Sequence, residues 1–229
     1  MTSIIRSRAE AELESYAFDP SCVLFLPLYR LDGDSFASKD KYGRACVNHG
    51  SVWTPQGRKF DISDKTYIAI TNGVVVTSAA TIEIWTRRTS LVDGYLLCRD
   101  AAGGSNTQYS YILNFIDHEI NWNLGDGIGG AQHEAGSTVL DDTGLHHIAW
   151  TWDSSYSRLF IDGVEDPSSP WAQTTVPNDN GRATHIGRAR IGYDGGYYEG
   201  IIKAILMYSR ILTPQEISRH AVVAKEVFG

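Results

Sequence analysis

Residues 146–163 read HHIAWTWDSSYSRLFIDG, and this stretch decides the fold class. Residues 146–153 and 157–161 within it are rich in the β-branched and aromatic residues that favour strands. Asp162-Gly163 follows directly, and this pair accepts the positive φ angles of a two-residue hairpin turn. The stretch therefore predicts consecutive antiparallel strands joined by tight turns.

The same strand signature recurs along most of the chain. Further short segments of this kind are residues 23–28, 67–70, 81–88, 95–99, 109–116, 119–124, 185–190 and 197–208. Asp117-His118 separates two of them closely enough for another hairpin. Short strands with no helices between them predict an all-β fold, a two-sheet antiparallel jelly-roll β-sandwich.

A short helix is predicted at each end of the sandwich. Residues 2–17 carry apolar side chains at helical spacing. Asp19-Pro20 ends that pattern, because a residue before proline avoids the helical conformation. Thr213-Pro214-Gln215-Glu216 is a capping box with proline at the first helical position. It predicts a second helix over residues 213–228.

These elements predict one domain with an extension. Residues 1–20 form the N-terminal helical extension, and residues 21–229 form the sandwich domain together with the C-terminal helix. The N-terminal helix is expected to dock either on this domain or on another chain, where it would join copies into a homo-oligomer.

Composition excludes several function classes. The chain has 229 residues, of which 42% are hydrophobic, enough for the core of one sizeable domain. Lys+Arg 20 against Asp+Glu 27 gives a net charge of −7, and an acidic chain without a basic run is a poor partner for nucleic acid. No apolar run approaches the roughly 20 residues that cross a bilayer, so membrane insertion is not expected.

Short blocks occur in a fixed order along the chain. They are residues 47–50 (VNHG), 59–61 (KFD), 81–85 (TIEIW), 146–149 (HHIA), 159–163 (LFIDG), 186–188 (IGR) and 200–217. In this order they resemble the LamG-like domains of the concanavalin A-like lectin/glucanase group, over roughly residues 23–220. The resemblance implies a jelly roll of two curved sheets. Members are mostly carbohydrate- or protein-binding modules, with glycosidases and lyases on the same fold, so the fold does not settle the function.

The closing block departs from the pattern where many relatives hold a structural calcium ion. The resemblance implies carboxylates there, whereas this chain has Lys203. Calcium takes about six to eight oxygen ligands, so it is a candidate cofactor that the sequence disfavours. One interpretation places the Lys203 ammonium where the ion would lie, paired with Asp32 and Asp34; the other lets it point into solvent. Calcium elsewhere, at Asp141 and Asp142, is a further alternative.

Glycoside cleavage is a minor alternative. Related glycosidases use a strand of the type E-I-D-x-x-E, whose carboxylates act as nucleophile and general acid. The nearest match is residues 119–123 (EINWN), where Asn121 replaces the aspartate and the second glutamate is missing. An amide cannot titrate, so we expect no catalytic residues and no enzyme.

Carbohydrate binding without cleavage is the more specific hypothesis. Residues 119–124 alternate, so their polar members share one face and can bond sugar hydroxyls while the apolar members enter the core. The loop at residues 193–199 combines tyrosines with acidic groups, which suits the rim of a site. The candidate ligand-binding residues are Glu119, Asn121, Asn123, Tyr193, Asp194, Tyr197 and Tyr198.

We therefore expect a non-catalytic recognition module for a glycan or another cell-surface ligand. The alternative is a structural or decoration protein of a phage capsid or tail, with other virion subunits as partners, because residues 26–43 resemble LamG-like chains of phage-type structural proteins. The first residues show no signal peptide. The expected location is a virion surface or another extracellular-facing site if the chain is viral, and the cytoplasm otherwise.

Overall fold

The computed structural model describes residues 2–99, 109–126, 130–178, 181–189 and 196–229. Its helices are α1 (Thr2–Ser15) and α2 (Pro214–Phe228), with a short 3-10 turn, Tyr16–Phe18, after α1. The strands are β1 (Cys22–Leu26), β2 (Ser35–Ala37), β3 (Ala45–His49), β4 (Val52–Thr54), β5 (Gly57–Phe60), β6 (Tyr67–Ile70), β7 (Ala80–Arg88), β8 (Gly94–Arg99), β9 (Tyr111–Ile116), β10 (Glu119–Gly125), β11 (Ala131–Ala135), β12 (Leu145–Trp152), β13 (Tyr156–Ile161), β14 (Val164–Glu165), β15 (Trp171–Ala172), β16 (Thr184–Ile186) and β17 (Gly200–Tyr208).

The strands form two antiparallel sheets. The first sheet has the order β14-β13-β12-β7-β17-β5-β4, and β1 and β15 add to it through β17 and β13. The second sheet has the order β11-β10-β9-β8-β16-β6-β3-β2. Strands far apart in sequence are neighbours, as where Trp85 of β7 pairs with Ala204 of β17. The predicted all-β sandwich with short terminal helices is confirmed.

The core lies between the two sheets. In a strand, alternate side chains point to the same face, so one face of each sheet supplies the apolar groups. Trp150 of the first sheet and Trp122 of the second stack there with ring centroids 5.1 Å apart. Burial of one such large side chain stabilises the fold by about 2–3 kcal/mol. Core side chains at the centre include Ile120, Trp122, Leu124, Ile148, Trp150 and Trp152.

Both predicted hairpins are present. Asp162 and Gly163 have φ angles of 52° and 81° and join β13 to β14. Asp117 and His118 have φ angles of 49° and 69° and join β9 to β10. Two successive positive φ angles match the right-handed twist of the flanking strands, so these turns fix the register of their hairpins.

The terminal helices pack against each other on the outer face of the first sheet. Ala9 and Leu13 of α1 are buried, and Glu12 pairs with Arg219 of α2 at 2.7 Å. The predicted N-terminal helix thus docks on its own domain. At α2, the side chain of Thr213 accepts from the Glu216 backbone N–H, which confirms the capping box. Within the described chain, no helix is both long enough and apolar enough to cross a bilayer.

A carboxylate is buried beneath these helices. Glu83, on β7, is fully shielded from solvent. Its Oε1 lies 3.1 Å from Nε2 of His147 on β12, and its Oε2 lies 2.8 Å from Nδ1 of His220 on α2. Burial alone raises the pKa of Glu83, but the charge of His220 and the bonds from both histidines outweigh it and hold that pKa below its ordinary value. The carboxylate therefore links two strands of the sheet to the C-terminal helix.

We predict that Glu83→Gln lowers the free energy of unfolding by about 3 kcal/mol at neutral pH. The amide of glutamine has only one acceptor oxygen, so its NH₂ donor would face the donor nitrogen of one of the two histidines in a buried site. Urea denaturation of both proteins measures this difference. Glu226→Gln, at an exposed position of α2, serves as the control and should change the free energy by less than about 0.5 kcal/mol.

The same variant carries a pH prediction. A carboxylate whose pKa is lowered by folding stabilises the protein fully above its unfolded pKa, here 4.5, and this stabilisation is lost as the pH falls through the folded pKa. The stability gap between wild type and Glu83→Gln should therefore shrink as the pH falls below 4.5. A gap that stays constant in acid would contradict this assignment.

Candidate functional site

The outer face of the second sheet carries a row of polar and aromatic side chains. The register places Asn121 of β10 opposite Asn114 of β9, and Asn114 opposite Tyr95 of β8. Asn123 follows on the same face, since residues two apart in a strand point the same way. Further side chains of this face, in the ladders β8–β16–β6, are His185 and Tyr67.

The amide end of this face contains an unsatisfied acceptor. Asn114 is 2% exposed and Asn121 is 5% exposed. Oδ1 of Asn114 has no hydrogen-bond partner among the described residues. A buried acceptor without a partner costs about 1–3 kcal/mol, and a bound hydroxyl or water molecule removes that cost. This end of the face is therefore suited to a polar ligand.

The other end of the face is aromatic and cationic, and we call it the Tyr67 cluster. The Tyr67 ring stacks on His49 with centroids 4.1 Å apart and meets His185 edge-on at 5.8 Å. The Arg188 guanidinium lies 4.4 Å from the Tyr67 centroid and 5.9 Å from that of Tyr197. Burial, together with the charges of Arg188 and His49, lowers the pKa of His185 to about 4. The cluster thus combines flat ring surfaces with a positive charge.

Several predicted ligand-binding residues lie on this face. Ile120, Trp122 and Leu124 lie in the core, so Asn121 and Asn123 point to the other side of β10. Glu119 begins the same strand, partly exposed. Tyr197 lies beside Arg188 and is 9% exposed. The predicted Tyr193 and Asp194 lie outside the described residues.

Tyr198 is a correction to the predicted set. It is 1% exposed and belongs to the core between the sheets. Its Oη lies 2.6 Å from Oγ1 of Thr86 in the first sheet. Tyr197 and Tyr198 are adjacent, so in extended chain they point to opposite sides, and Tyr198 is the one that packs inward.

Lys203 is a second correction. Its Nζ donates to the Phe228 carbonyl at 3.0 Å, at the end of α2. The cation beside Asp32 and Asp34 is Arg58, which donates to three backbone carbonyls and feels the charge of both aspartates. The register of β17 shifts next to Lys203, and the ammonium of this residue reaches the end of α2.

The acidic loop suggested for calcium has other partners. Oδ1 of Asp142 accepts from the Gly144 backbone N–H and lies 3.0 Å from Nε2 of His146. Asp141 is exposed. The described part of the chain contains no group of three or more histidine, cysteine or acidic side chains placed to hold a metal ion.

Asn114, His185 and Arg188 lie on the outer face of the second sheet but were not predicted from the sequence as site residues. Asn114 had a signal, because it is the polar residue in the otherwise apolar strand YILNFI. His185 precedes the IGR block and Arg188 is its last residue, and neither carries a signal of its own, since only the pairing of β16 with β6 and β8 brings them to Tyr67.

One family model matches the chain. Residues 63–218, more than half of the sequence, match the concanavalin A-like lectin/glucanases superfamily. No curated protein matches the sequence.

Solved structures share the fold. The binding domain of botulinum neurotoxin serotype G is 16% identical with a TM-score of 0.68, covering 89% of this chain and 51% of that one. CBM40 of the Ruminococcus gnavus IT-sialidase, bound to α2,3-sialyllactose, is 17% identical with a TM-score of 0.54, covering 65% of this chain and 83% of that one. A mutant Trypanosoma rangeli sialidase displaying trans-sialidase activity is 14% identical with a TM-score of 0.67, covering 99% of this chain and 38% of that one. At these identities the likeness establishes the fold alone, and the chain spans about half the length of the toxin domain.

The contacts of His146 with two carboxylates, Asp142 and Asp162, can be tested by titration. Its Nδ1 lies 2.9 Å from Asp162 and its Nε2 lies 3.0 Å from Asp142. The bond to Asp162, the bond to Asp142 and the charge of both carboxylates raise the pKa of His146 against the opposing effect of burial. We predict that Asp162→Asn, which suits the same turn, lowers this pKa. An NMR titration of the imidazole signals measures it.

Asp153→Asn is the matched control, because Asp153 accepts from Ser155 and Tyr156 in a different turn. It should leave the His146 titration unchanged. Equal titrations of His146 in wild type and Asp162→Asn would show that the ion pair does not form in solution.

Proposed function

Because the chain belongs to the concanavalin A-like lectin/glucanase superfamily, we propose that it is a non-catalytic recognition module that binds a glycan. The site is the outer face of the second sheet, from Asn123 to the Tyr67 cluster. The fold serves as a rigid scaffold that holds this face in place.

The unsatisfied acceptor of Asn114 is the observation that carries the proposal. A sugar hydroxyl both donates and accepts, and a primary amide offers one acceptor oxygen and two N–H donors. Asn114 and Asn121 lie directly opposite each other, so a hydroxyl can donate to one amide and accept from the other. A sugar also presents C–H faces, and Tyr95 beside Asn114 supplies an aromatic side chain for them.

The chemistry of the face favours binding over cleavage. Glycoside hydrolysis uses two carboxyl groups that flank the bond. The paired positions of β10 and β9 hold Asn121 and Asn114, and an amide can neither donate a proton as an acid nor act as a carboxylate nucleophile. The groups on this part of the face therefore hold a sugar without a means of breaking it.

The solved relatives support the class of ligand. CBM40 of Ruminococcus gnavus is bound to α2,3-sialyllactose on the same kind of fold. A module of this kind acts where glycans are displayed, at a cell or particle surface.

A glycan-array screen of the purified chain, run with calcium and with a chelator, tests the proposal. We expect binding to one glycan class that the chelator does not change, because the described residues contain no group of three or more histidine, cysteine or acidic side chains placed to hold a metal ion. Light scattering on the same sample gives the oligomeric state. A defined oligomer that binds no glycan would contradict the proposal and favour an assembly role.

We predict that Asn123→Ala and Asn121→Ala each weaken glycan binding about tenfold, the effect of losing one or two hydrogen bonds to hydroxyls. The melting temperature should change little, because neither side chain has a hydrogen bond to another part of the described chain. Isothermal titration with the array hit and a thermal melt measure the two effects.

Gln56→Ala is the control, an exposed amide in the turn between β4 and β5 of the first sheet. It should leave affinity unchanged. Loss of binding in Gln56→Ala, or unchanged binding in both asparagine variants, would place the site elsewhere.

A further inference from the structure

A separate cleft lies between α2 and the outer face of the first sheet, on the opposite side of the sandwich from the proposed glycan site. Its volume is about 190 Å³. For scale, a protein cavity of about 150 Å³ holds benzene. Residues lining the cleft include Trp85, Leu145, His147, Asp162, Ala221 and Lys225.

Two buried polar atoms beside this cleft lack partners. Trp85 is 1% exposed and His147 is 3% exposed. Nε1 of Trp85 and Nδ1 of His147 have no hydrogen-bond partner within the described chain. The two rings stack with centroids 4.6 Å apart, at directly paired positions of β7 and β12. Both residues line the cleft, so two of its described lining side chains each hold a polar atom without a hydrogen-bond partner, which marks it as a place for a polar ligand.

The buried Glu83 fixes what His147 offers. Nε2 of His147 lies 3.1 Å from Oε1 of Glu83. An ionised carboxylate only accepts hydrogen bonds, so Nε2 carries the hydrogen. Nδ1 is then an acceptor in the neutral ring and a donor in the protonated ring.

The charges around the cleft favour an acidic group. Lys225 contributes an ammonium at the rim. The Asp162 carboxylate is already engaged, because Oδ1 accepts from the His147 backbone N–H at 2.8 Å and Oδ2 lies 2.9 Å from Nδ1 of His146. Leu145 and Ala221 supply apolar walls.

We propose that this cleft binds a small monocarboxylic acid with an apolar body. The carboxyl group accepts from the Trp85 N–H and shares one proton with Nδ1 of His147, while Lys225 attracts its charge. The apolar body lies between Leu145 and Ala221. Binding here is independent of the glycan site, since the two lie on different sheets.

NMR titration of the ¹⁵N-labelled full chain tests this proposal. The probes are benzoate and butyrate, each compared with its amide, which has the same shape without the charge. Trp85→Phe identifies the Trp85 indole signal. We expect that signal to shift saturably with the acids, and the amides to bind at least about tenfold more weakly because they lose a charged hydrogen bond.

Lys225→Met removes the ammonium and keeps an apolar stem at an exposed position of α2. We expect it to weaken benzoate binding about tenfold. Lys59→Met is the matched control, because the Lys59 side chain is 46% exposed on β5, two strands from β7 in the sheet order. This variant should bind benzoate as wild type does. A Trp85 signal that does not move at high benzoate, or moves equally with benzamide, overturns the proposal.

Discussion

The carboxylate of Glu83 is the interaction on which the first sheet and its helices depend. It has no contact with solvent, so its charge must be compensated by protein groups. Each oxygen meets one histidine, His147 from β12 and His220 from α2. His220 in turn stacks on Tyr16 at 3.7 Å, directly after α1. One buried charge thus joins a central strand, its neighbour and both terminal helices.

The two sheets differ in what covers their outer faces, and this difference decides where each site lies. On the first sheet the helices bury a second apolar cluster around Trp85 and Leu206. The space left beside α2 is the small cleft with unsatisfied groups of Trp85 and His147. On the second sheet the outward positions hold amides, imidazoles and phenols, among them Asn114 and Asn121. A large, polar ligand therefore finds its donors and acceptors on the second sheet, and a small one fits beneath the helix.

The sequence predicted the elements whose signals are local. Asp162-Gly163 needs only its own two residues to form its turn, and Thr213 with Glu216 caps α2 through contacts three residues apart. The alternation of residues 119–124 predicted their apolar members in the core, where Ile120, Trp122 and Leu124 lie. The bond from Lys203 to the Phe228 carbonyl was not predicted, because the irregular register of β17 depends on its pairing with β7, which lies more than a hundred residues earlier in the chain.

The sequence by itself determined the all-β class and the turns, because period-two alternation and turn chemistry act within a few residues. The resemblance to the superfamily rested on short blocks in a fixed order along the chain. Only the tertiary structure decided which strands lie side by side. That pairing set Asn114 opposite Asn121, brought Arg188 over Tyr67, and buried Glu83 between two histidines. Strand neighbours are chosen by the summed free energy of long-range pairing and core packing, which no short segment of sequence records.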